Sequence, residues 1–174
     1  IRDGKIESAK ALARALVQRR EDCAGDVVLE ASGRGVVDVV RGLIEAGADV
    51  NKASDDGQTP LGIAVTEGHE AVVKALIEAG ADVNKTNDQG STAMHWACLN
   101  GHANIVQLLL DKGGSASVCN QAGRTPLDEA MHNEREECVK VIMEAEGEQD
   151  IELEEIDEEA AEDVSTDEEE QRMD

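Results

Sequence analysis

The chain has 174 residues and a net charge of −23, with 16 basic and 39 acidic side chains. Because nucleic acids and anionic lipids attract proteins through Lys and Arg, this charge excludes DNA, RNA and membrane surfaces as expected partners and favours a basic protein. The aromatic residues are one Trp, with no Phe and no Tyr, so base-stacking platforms and aromatic cages are excluded as well.

The distribution of apolar residues and cysteines indicates the compartment. No run of 18 apolar residues and no apolar leader occurs in the sequence, so we expect neither a membrane span nor an export signal. The four cysteines, Cys23, Cys98, Cys119 and Cys138, lie at least 19 residues apart without a CxxC pair. This spacing favours reduced thiols in a cytoplasmic or nuclear protein over a disulfide framework. We expect a monomer.

An interval of 33 residues organises the chain. It separates the members of two sets, Gly57, Gly90 and Gly123, and Thr59, Thr92 and Thr125. The string GADVNK at 47–52 also recurs at 80–85. Self-similarity at a fixed period of this length predicts an array of repeated supersecondary units.

The first 20 residues are predicted to be a truncated N-terminal capping half-repeat. The segment 4–12 parallels 68–76, so it is predicted to be the second helix of a unit whose first helix lies upstream of Ile1. The basic residues of this segment have two interpretations, the solvated outer face of a capping helix and a membrane-binding amphipathic face, and we favour the first. These basic residues are Arg2, Lys5, Lys10, Arg14, Arg19 and Arg20.

Each following unit is predicted to contain two helices. Apolar stripes at helical spacing predict the second helix at Val72, Val73, Leu76 and Ile77, and again at Ile105, Val106, Leu109 and Leu110. The Thr-Pro-Leu segments at 59–61 and 125–127 predict the start of a shorter first helix, because Thr caps free N–H groups and Pro needs no N–H there. Gly68 and Gly101 separate the two helices. The unit is therefore helix, turn, helix, hairpin, and the fold class is all-α.

Two segments carry a family resemblance. GQTPLGIAVTEGHEAVVKALIEAGADVNK and GSTAMHWACLNGHANIVQLLL resemble ankyrin repeats, whose pattern is G-x-TPLH-x-A followed by GH and GADVN. The resemblance implies an ankyrin-repeat solenoid over residues 21–146. Its four units are 21–53, 54–86, 87–119 and 120–146.

The two end units depart from the pattern. The first has Asp26-Val27-Val28 in place of Thr-Pro-Leu, and the fourth has Asp128 in place of His and Glu134-Arg135 in place of Gly-His. End units of solenoids are atypical because one of their faces meets water rather than a neighbouring unit.

Residues 147–174 are predicted to form a disordered acidic tail. From Glu144 to Asp174 there are 17 acidic residues and one basic residue, which gives a net charge of −16. So many like charges with few apolar residues do not offset the entropy of ordering. The tail either solubilises the chain or screens a basic client, and both interpretations stay open. Ser165 and Thr166 are followed by acids at the third position, so they are candidate phosphorylation sites.

One group of residues has the chemistry of a catalytic or metal site. His95, Cys98 and His102 lie in the string HWACLNGH. The ankyrin pattern gives these positions structural roles, since His95 ties repeat loops together, Cys98 fills a small core position and His102 has a twin at His69. We therefore expect no catalytic residues, no metal and no cofactor, and the chain is not predicted to be an enzyme.

The resemblance also implies where a partner binds, because ankyrin repeats use their hairpin tips and the concave face of the first helices. The tip residues are Asp22, Asp55, Asp56, Gln58, Asp88, Gln89, Ser91, Gln121 and Arg124. The concave positions are Arg34, Thr66, Glu67, Trp96, Leu99, Asn100, His132 and Asn133. Trp96 is either an interface anchor or a residue that packs between neighbouring first helices.

A narrower resemblance concerns function. The string TAMHWACLNGHANIVQLLL, the short array and the acidic extension resemble small eukaryotic ankyrin-repeat chaperones, which hold a basic ribosomal protein soluble until it joins the small subunit. This resemblance implies a dedicated chaperone in the cytoplasm or nucleus. The alternative is an adaptor or regulatory subunit that binds a kinase, proteasome or cytoskeletal partner through its concave face, while the tail only solubilises.

Overall fold

The structure is a computed structural model that describes residues 21–150, together with Ala11 and Ala15 as isolated helical positions. The rest of the predicted half-repeat at 1–20 and the tail from residue 151, including Ser165 and Thr166, lie outside the described residues. Within 21–150 the chain forms eight helices and no strand. They are α1 (Glu21–Gly33), α2 (Val37–Glu45), α3 (Pro60–Thr66), α4 (Glu70–Glu78), α5 (Ala93–Asn100), α6 (Ala103–Asp111), α7 (Pro126–His132) and α8 (Glu136–Asp150).

The helices pack in two layers. The first helices of successive units, α1, α3, α5 and α7, contact one another in order, and the second helices, α2, α4, α6 and α8, do the same. One apolar core runs between the layers through all four units. Its largest fully buried side chains include Leu43, Leu61, Leu76, Met94, Leu109 and Ile142. The predicted all-α solenoid is therefore confirmed.

The predicted start signals of the first helices are seen in the structure. The Oγ1 atom of Thr59 accepts a hydrogen bond from the backbone N–H of Gly62 at 3.0 Å, and Pro60 occupies the first turn of α3. Thr125 and Pro126 begin α7 in the same way, with the Asp128 N–H donating to Thr125 Oγ1 at 3.2 Å. These caps satisfy N–H groups that would otherwise lack a partner at the helix start.

Asparagine side chains join successive hairpins. Asn51 Nδ2 donates to the carbonyl of Gly80 at 3.3 Å, and its Oδ1 accepts from the N–H of Asp82 at 2.8 Å. One unit later, Asn84 bonds the Gly113 carbonyl at 2.9 Å and the Ser115 N–H at 2.8 Å. The recurrence of Asn at this interval is thus explained by a hydrogen bond from each hairpin to the next.

Two segments are helical although the sequence placed residues of them in a hairpin tip and in the tail. α1 is already helical at Glu21, so Asp26-Val27-Val28 lies inside a helix, because the segment lacks the Thr-Pro pair that starts α3 and α7. α8 continues to Asp150, so residues 147–150, predicted as part of the tail, are helical. The Gly-Ala-Asp sequence that follows α2 and α4 is missing after α8, and this removes the signal that ends those helices. In the described part of the chain, no helix combines the length and apolar character that crossing a membrane requires.

Candidate protein-binding surface

The hairpin tips form one continuous edge along the solenoid. The N–H of Asp88 donates to the Asp56 carbonyl at 3.4 Å, and the N–H of Gln121 donates to the Gln89 carbonyl at 2.9 Å. The side-chain amide of Gln121 also donates to the Asp88 carbonyl at 2.7 Å. The structure therefore brings together the predicted tip residues of the second, third and fourth units.

Three exposed side chains of this edge are acidic. Asp55, Asp56 and Asp88 are all exposed, and Asp56 accepts a hydrogen bond from Ser54 Oγ at 2.6 Å. Among residues 21–150, no Lys or Arg forms an ion pair with any of these three carboxylates. We call Asp55, Asp56 and Asp88 the acidic edge.

Arg124 belongs to the tip of the fourth unit, but its guanidinium pairs with a carboxylate outside the acidic edge. Its Nη1 atom is 3.6 Å from Oε2 of Glu129, a carboxylate that is largely buried on α7. Oε1 of the same carboxylate accepts a hydrogen bond from Asn120 Nδ2 at 3.1 Å. Arg124 and Glu129 therefore compensate each other, and the acidic edge keeps its net negative charge.

Three other predicted tip residues, unlike Asp55 and Asp88, are not exposed side chains of a hairpin. Asp22 lies in the first described turn of α1 rather than in a hairpin, because α1 is helical from Glu21. Ser91 is only 8% exposed, and its N–H donates to Asn87 Oδ1 at 2.9 Å, so its side chain is not available as an exposed contact. Gln58 is half-buried, with its N–H donating to Ser54 Oγ at 3.1 Å.

The predicted concave positions lie at the C-terminal ends of the first helices. Glu67, Asn100 and His132 are exposed there. Asn100 Nδ2 donates to the carbonyl of Thr66 at 3.3 Å and to that of Trp96 at 3.1 Å, which links α5 to α3. The remaining predicted positions are Arg34, which is exposed, and Leu99 and Asn133, which are half-buried.

Trp96 is half-buried and packs against the apolar core. It lies 33 residues after Ile63, which is also half-buried, and 33 before Glu129. Part of the Trp96 side chain is therefore covered by the core, and the remainder is exposed.

His95 has the structural role that the ankyrin pattern implies. Its ring is 2% exposed, its Nδ1 accepts a hydrogen bond from the N–H of Thr92 at 3.1 Å, and its Nε2 is 3.1 Å from the Arg124 carbonyl. The Nε2–H tautomer satisfies both bonds. Burial lowers the pKa of His95, against the opposing effects of the Arg124 carbonyl and the Glu129 charge. A neutral ring therefore ties the third unit to the fourth.

The other members of the HWACLNGH string also serve the fold. The Cys98 side chain is fully buried, and burial raises the pKa of its thiol, which keeps it protonated and unreactive. His102 Nε2 lies 3.4 Å from the Thr66 carbonyl, as His69 Nε2 lies 3.0 Å from the Gly33 carbonyl one unit earlier. Among the described residues, no group of His, Cys, Asp or Glu side chains has the arrangement of a metal site.

A groove at the C-terminal end of the solenoid was missed by the sequence reasoning. It has a volume of about 610 Å³ and lies between α7 and α8. Its lining is Ala130, Met131, Glu134, Arg135, Glu136, Val139, Lys140, Met143 and Glu144. Met131 is 62% exposed and Met143 is 59% exposed. The sequence does contain a signal for this groove. Met131 and Val139 are apolar and lie 33 residues after Cys98 and Val106, which are fully buried in the third unit.

The comparisons with known proteins agree with this architecture. A family model described as ankyrin repeats (three copies) matches residues 1–87 and, a second time, residues 71–155. The chain belongs to the ankyrin-repeat family. A comparison with curated proteins gives no match. Ankyrin repeats are protein-interaction modules that typically lack catalytic activity, so the family and the fold imply a protein-binding role.

Proposed function

We propose that the chain is a dedicated, non-catalytic chaperone that shields a basic ribosomal protein during assembly of the small subunit, in the cytoplasm and the nucleus. The observation that carries the proposal is the acidic edge, where three neighbouring exposed carboxylates have no described cation to pair with. An acidic surface of this kind complements a protein rich in Lys and Arg.

The charge of the C-terminal segment supports the same client. From Glu144 onward the chain carries a net charge of −16, which has the same sign as the acidic edge. Two negative surfaces on one chain speed the encounter with a basic client through long-range attraction. They also compete with RNA for the client's basic residues, which is the task of a ribosomal-protein chaperone.

The test measures protection of a basic client from aggregation. A small-subunit ribosomal protein is diluted from denaturant, and its light scattering is followed with and without this chain as a monomer at equal concentration. We expect the wild-type chain to suppress scattering. The triple variant Asp55→Asn, Asp56→Asn and Asp88→Asn should protect several-fold less, because charge complementarity at the acidic edge is lost.

A control variant separates the acidic edge from net charge. Asp38, Glu78 and Asp111 are exposed acids of the second-helix layer, and their conversion to Asn, Gln and Asn changes the net charge by the same amount. The control should protect like the wild type. If both triple variants protect like the wild type, the acidic edge does not bind the client and the observation that carries the proposal fails.

One observation favours the alternative of an adaptor or regulatory subunit for a kinase, proteasome or cytoskeletal partner. Trp96 and Leu99 are apolar, half-buried residues of the same first helix, and an apolar contact there would bind without charge complementarity. Pull-downs in moderate and in high salt distinguish the two, because charge-driven capture weakens with ionic strength and apolar capture changes much less. Capture that resists high salt and is lost in Trp96→Ala supports the adaptor.

A further inference from the structure

The groove between α7 and α8 lies on the face of the fourth unit that corresponds to the inner repeat junctions, and no described helix covers it. At the inner junctions, the side chains at the equivalent positions are covered by the next helix pair, and both Cys98 and Val106 are fully buried. In the fourth unit Met131 is largely exposed and Val139 is half-buried, because no further described helix packs against them. Within the described residues, this face of the fourth unit therefore leaves apolar side chains uncovered.

The geometry of the inner junctions indicates the shape of the occupant. At each inner junction, α-helices of the following unit lie against this face, as α7 lies against α5 and α8 against α6. The groove therefore has the shape that accepts a helix. The Met131 and Met143 side chains at its walls are unbranched and flexible, which lets them adapt to the apolar face of a helix.

The charges at the rim indicate the chemistry of the occupant. Glu134, Glu136 and Glu144 line the groove, and the next exposed acid on α8 is Glu146. The rim also carries two cations: Arg135 Nε donates to the Leu99 carbonyl at 3.1 Å, and Lys140 Nζ is 3.9 Å from Glu144 Oε1. Glu134 and Glu136 form no ion pair within the described residues, so these two carboxylates are open to a partner's cations. A negative rim attracts a basic helix. It repels the acidic segment 151–174 of this chain and the identical rim of a second copy.

The backbone at the rim gives an independent reason to assign a function here. Glu134 has a φ of 56°, in the left-handed region, whereas the equivalent positions one, two and three units earlier are Gly101, Gly68 and Gly35 with φ between 68° and 80°. A non-glycine residue in this conformation is strained, and such strain concentrates at functional sites. The chain thus places a carboxylate at the groove in a position where glycine would be more stable.

We propose that this groove binds a Lys- and Arg-rich amphipathic helix of the client protein. The apolar face of the helix packs on Met131, Val139 and Met143, and its basic side chains pair with Glu134 and Glu136. This inference rests on the proposed function for the basic character of the client, but it concerns a surface distinct from the acidic edge.

The probe for the test is a labelled amphipathic peptide with Leu at helical spacing and Lys elsewhere. A scrambled peptide of the same composition and a peptide with Glu in place of Lys serve as controls. Fluorescence anisotropy with the full chain should give the tightest binding for the amphipathic basic peptide. Binding of the scrambled peptide with equal affinity would show that charge alone acts, for example through the tail, and would overturn the proposal.

Variants of the chain locate the binding site. Met131→Ser combined with Met143→Ser should weaken binding ~10-fold, since two apolar contacts of an interface are lost while both positions are exposed in the free protein. Glu134→Gly should weaken binding several-fold without loss of folding. The acidic-edge triple variant should bind the peptide within about twofold of the wild type, because its changes lie on a different surface. Unchanged binding in both groove variants would overturn the proposal.

Methyl NMR of methionine reports the contact directly. The peptide should shift the methyl signals of Met131 and Met143 and leave that of the buried Met94 in place. Saturation without a shift at Met131 or Met143 would exclude the groove. If sedimentation instead shows a dimer that the double Met variant dissociates, the occupant is a second copy and the proposal is wrong. Failure of the ribosomal-protein assay alone leaves this peptide result standing, so the two proposals fail separately.

Discussion

The third and fourth units have the same backbone but different side chains at matched positions. Where His95 accepts a hydrogen bond from the Thr92 N–H, Asp128 accepts one from the Thr125 N–H at 2.8 Å. Both acceptors stabilise the start of a first helix. The local capping interaction is therefore preserved by two unrelated side chains, which shows that the position requires an acceptor rather than an imidazole.

The two units differ in whether the side chain at this position also bonds to a neighbouring unit. His95 also bonds the Arg124 carbonyl of the fourth unit through its second nitrogen, whereas the bonds of Asp128 are to Thr125 of its own helix start. Arg135 replaces histidine and still bonds backward to the third unit, at Leu99. The fourth unit thus keeps its backward links and local caps, as expected for the last described unit of an array.

The largest expected effect distinguishes a covered position from an open one. Leu109 in the third unit is fully buried, so Leu109→Ala should lower the free energy of unfolding by roughly 2 to 5 kcal/mol through lost burial and a cavity. Met143→Ala in the fourth unit is the exposed control and should change it by less than about 0.5 kcal/mol, because the side chain is 59% exposed. Urea denaturation followed by circular dichroism measures both. Equal effects would contradict the assignment of covered and open faces.

Acid should weaken the third unit before the fourth. Because burial lowers the pKa of His95 below its usual 6.5, the unfolded chain binds a proton that the folded chain does not, and stability falls as pH drops below about 6.5. The slope is at most about 1.4 kcal/mol per pH unit. Hydrogen bonds from Thr125 lower the pKa of Asp128 below its usual 3.8, so its contribution is lost only at more acidic pH.

Urea midpoints between pH 7.5 and 5 check the order of these two events. The variant His95→Gln should be less stable at pH 7.5 but should lose less stability on acidification to pH 5 than the wild type. Asp128→Asn should leave the pH dependence in this range unchanged. A wild-type midpoint that is flat from pH 7.5 to 5 would mean that His95 takes up its proton without cost in the folded chain.

A glycine exchange at matched turns should have opposite effects in the two units. Glu134→Gly should raise the free energy of unfolding by about 1 kcal/mol, because glycine adopts the left-handed conformation without a steric penalty. The reverse change, Gly101→Glu, should be destabilising, since a Cβ at Gly101 would lie 2.9 Å from Cδ of Arg135. Thermal melts of both variants test the pair. Destabilisation by Glu134→Gly would refute the strain at this turn.

The smallest effect is expected from restoring the ankyrin pattern at one position. Arg135→His should change the free energy of unfolding by less than about 0.5 kcal/mol, because an imidazole reaches the equivalent carbonyl at Gly33 and Thr66. Arg135→Ala is the comparison and should cost about 1 kcal/mol, since the Leu99 carbonyl loses its donor. If Arg135→His raised the free energy of unfolding by more than about 1 kcal/mol, the arginine would be less favourable for stability than the histidine of the ankyrin pattern.

Most of the fold was predictable because its signals are local. The Thr-Pro pairs and the apolar stripes fixed the helices from α3 to α7, as the capping of Gly62 by Thr59 illustrates. The helical conformation of α1 at Glu21 and of α8 up to Asp150 was not predicted, since both segments lack the residues that start or stop the other helices.

The binding surface was less predictable because exposure depends on neighbours. Ser91 belongs to a tip by its position in the repeat, yet it is only 8% exposed, and its backbone N–H donates to Asn87 Oδ1 within the hairpin. Met131 looks like a core residue by its register and is exposed because no described unit covers it. Neither outcome follows from the residue type or the spacing alone.

The asparagine bonds between hairpins have a consequence for the chain during its synthesis. Asn51 reaches the Gly80 carbonyl 29 residues later, so the hairpin of one unit is completed only after most of the next unit has left the ribosome. We expect the array to fold cotranslationally from the N-terminal side, with the newest hairpin always the least protected. Limited proteolysis of stalled nascent chains of increasing length would show cleavage near residue 51 until the stall point passes residue 80 beyond the exit tunnel.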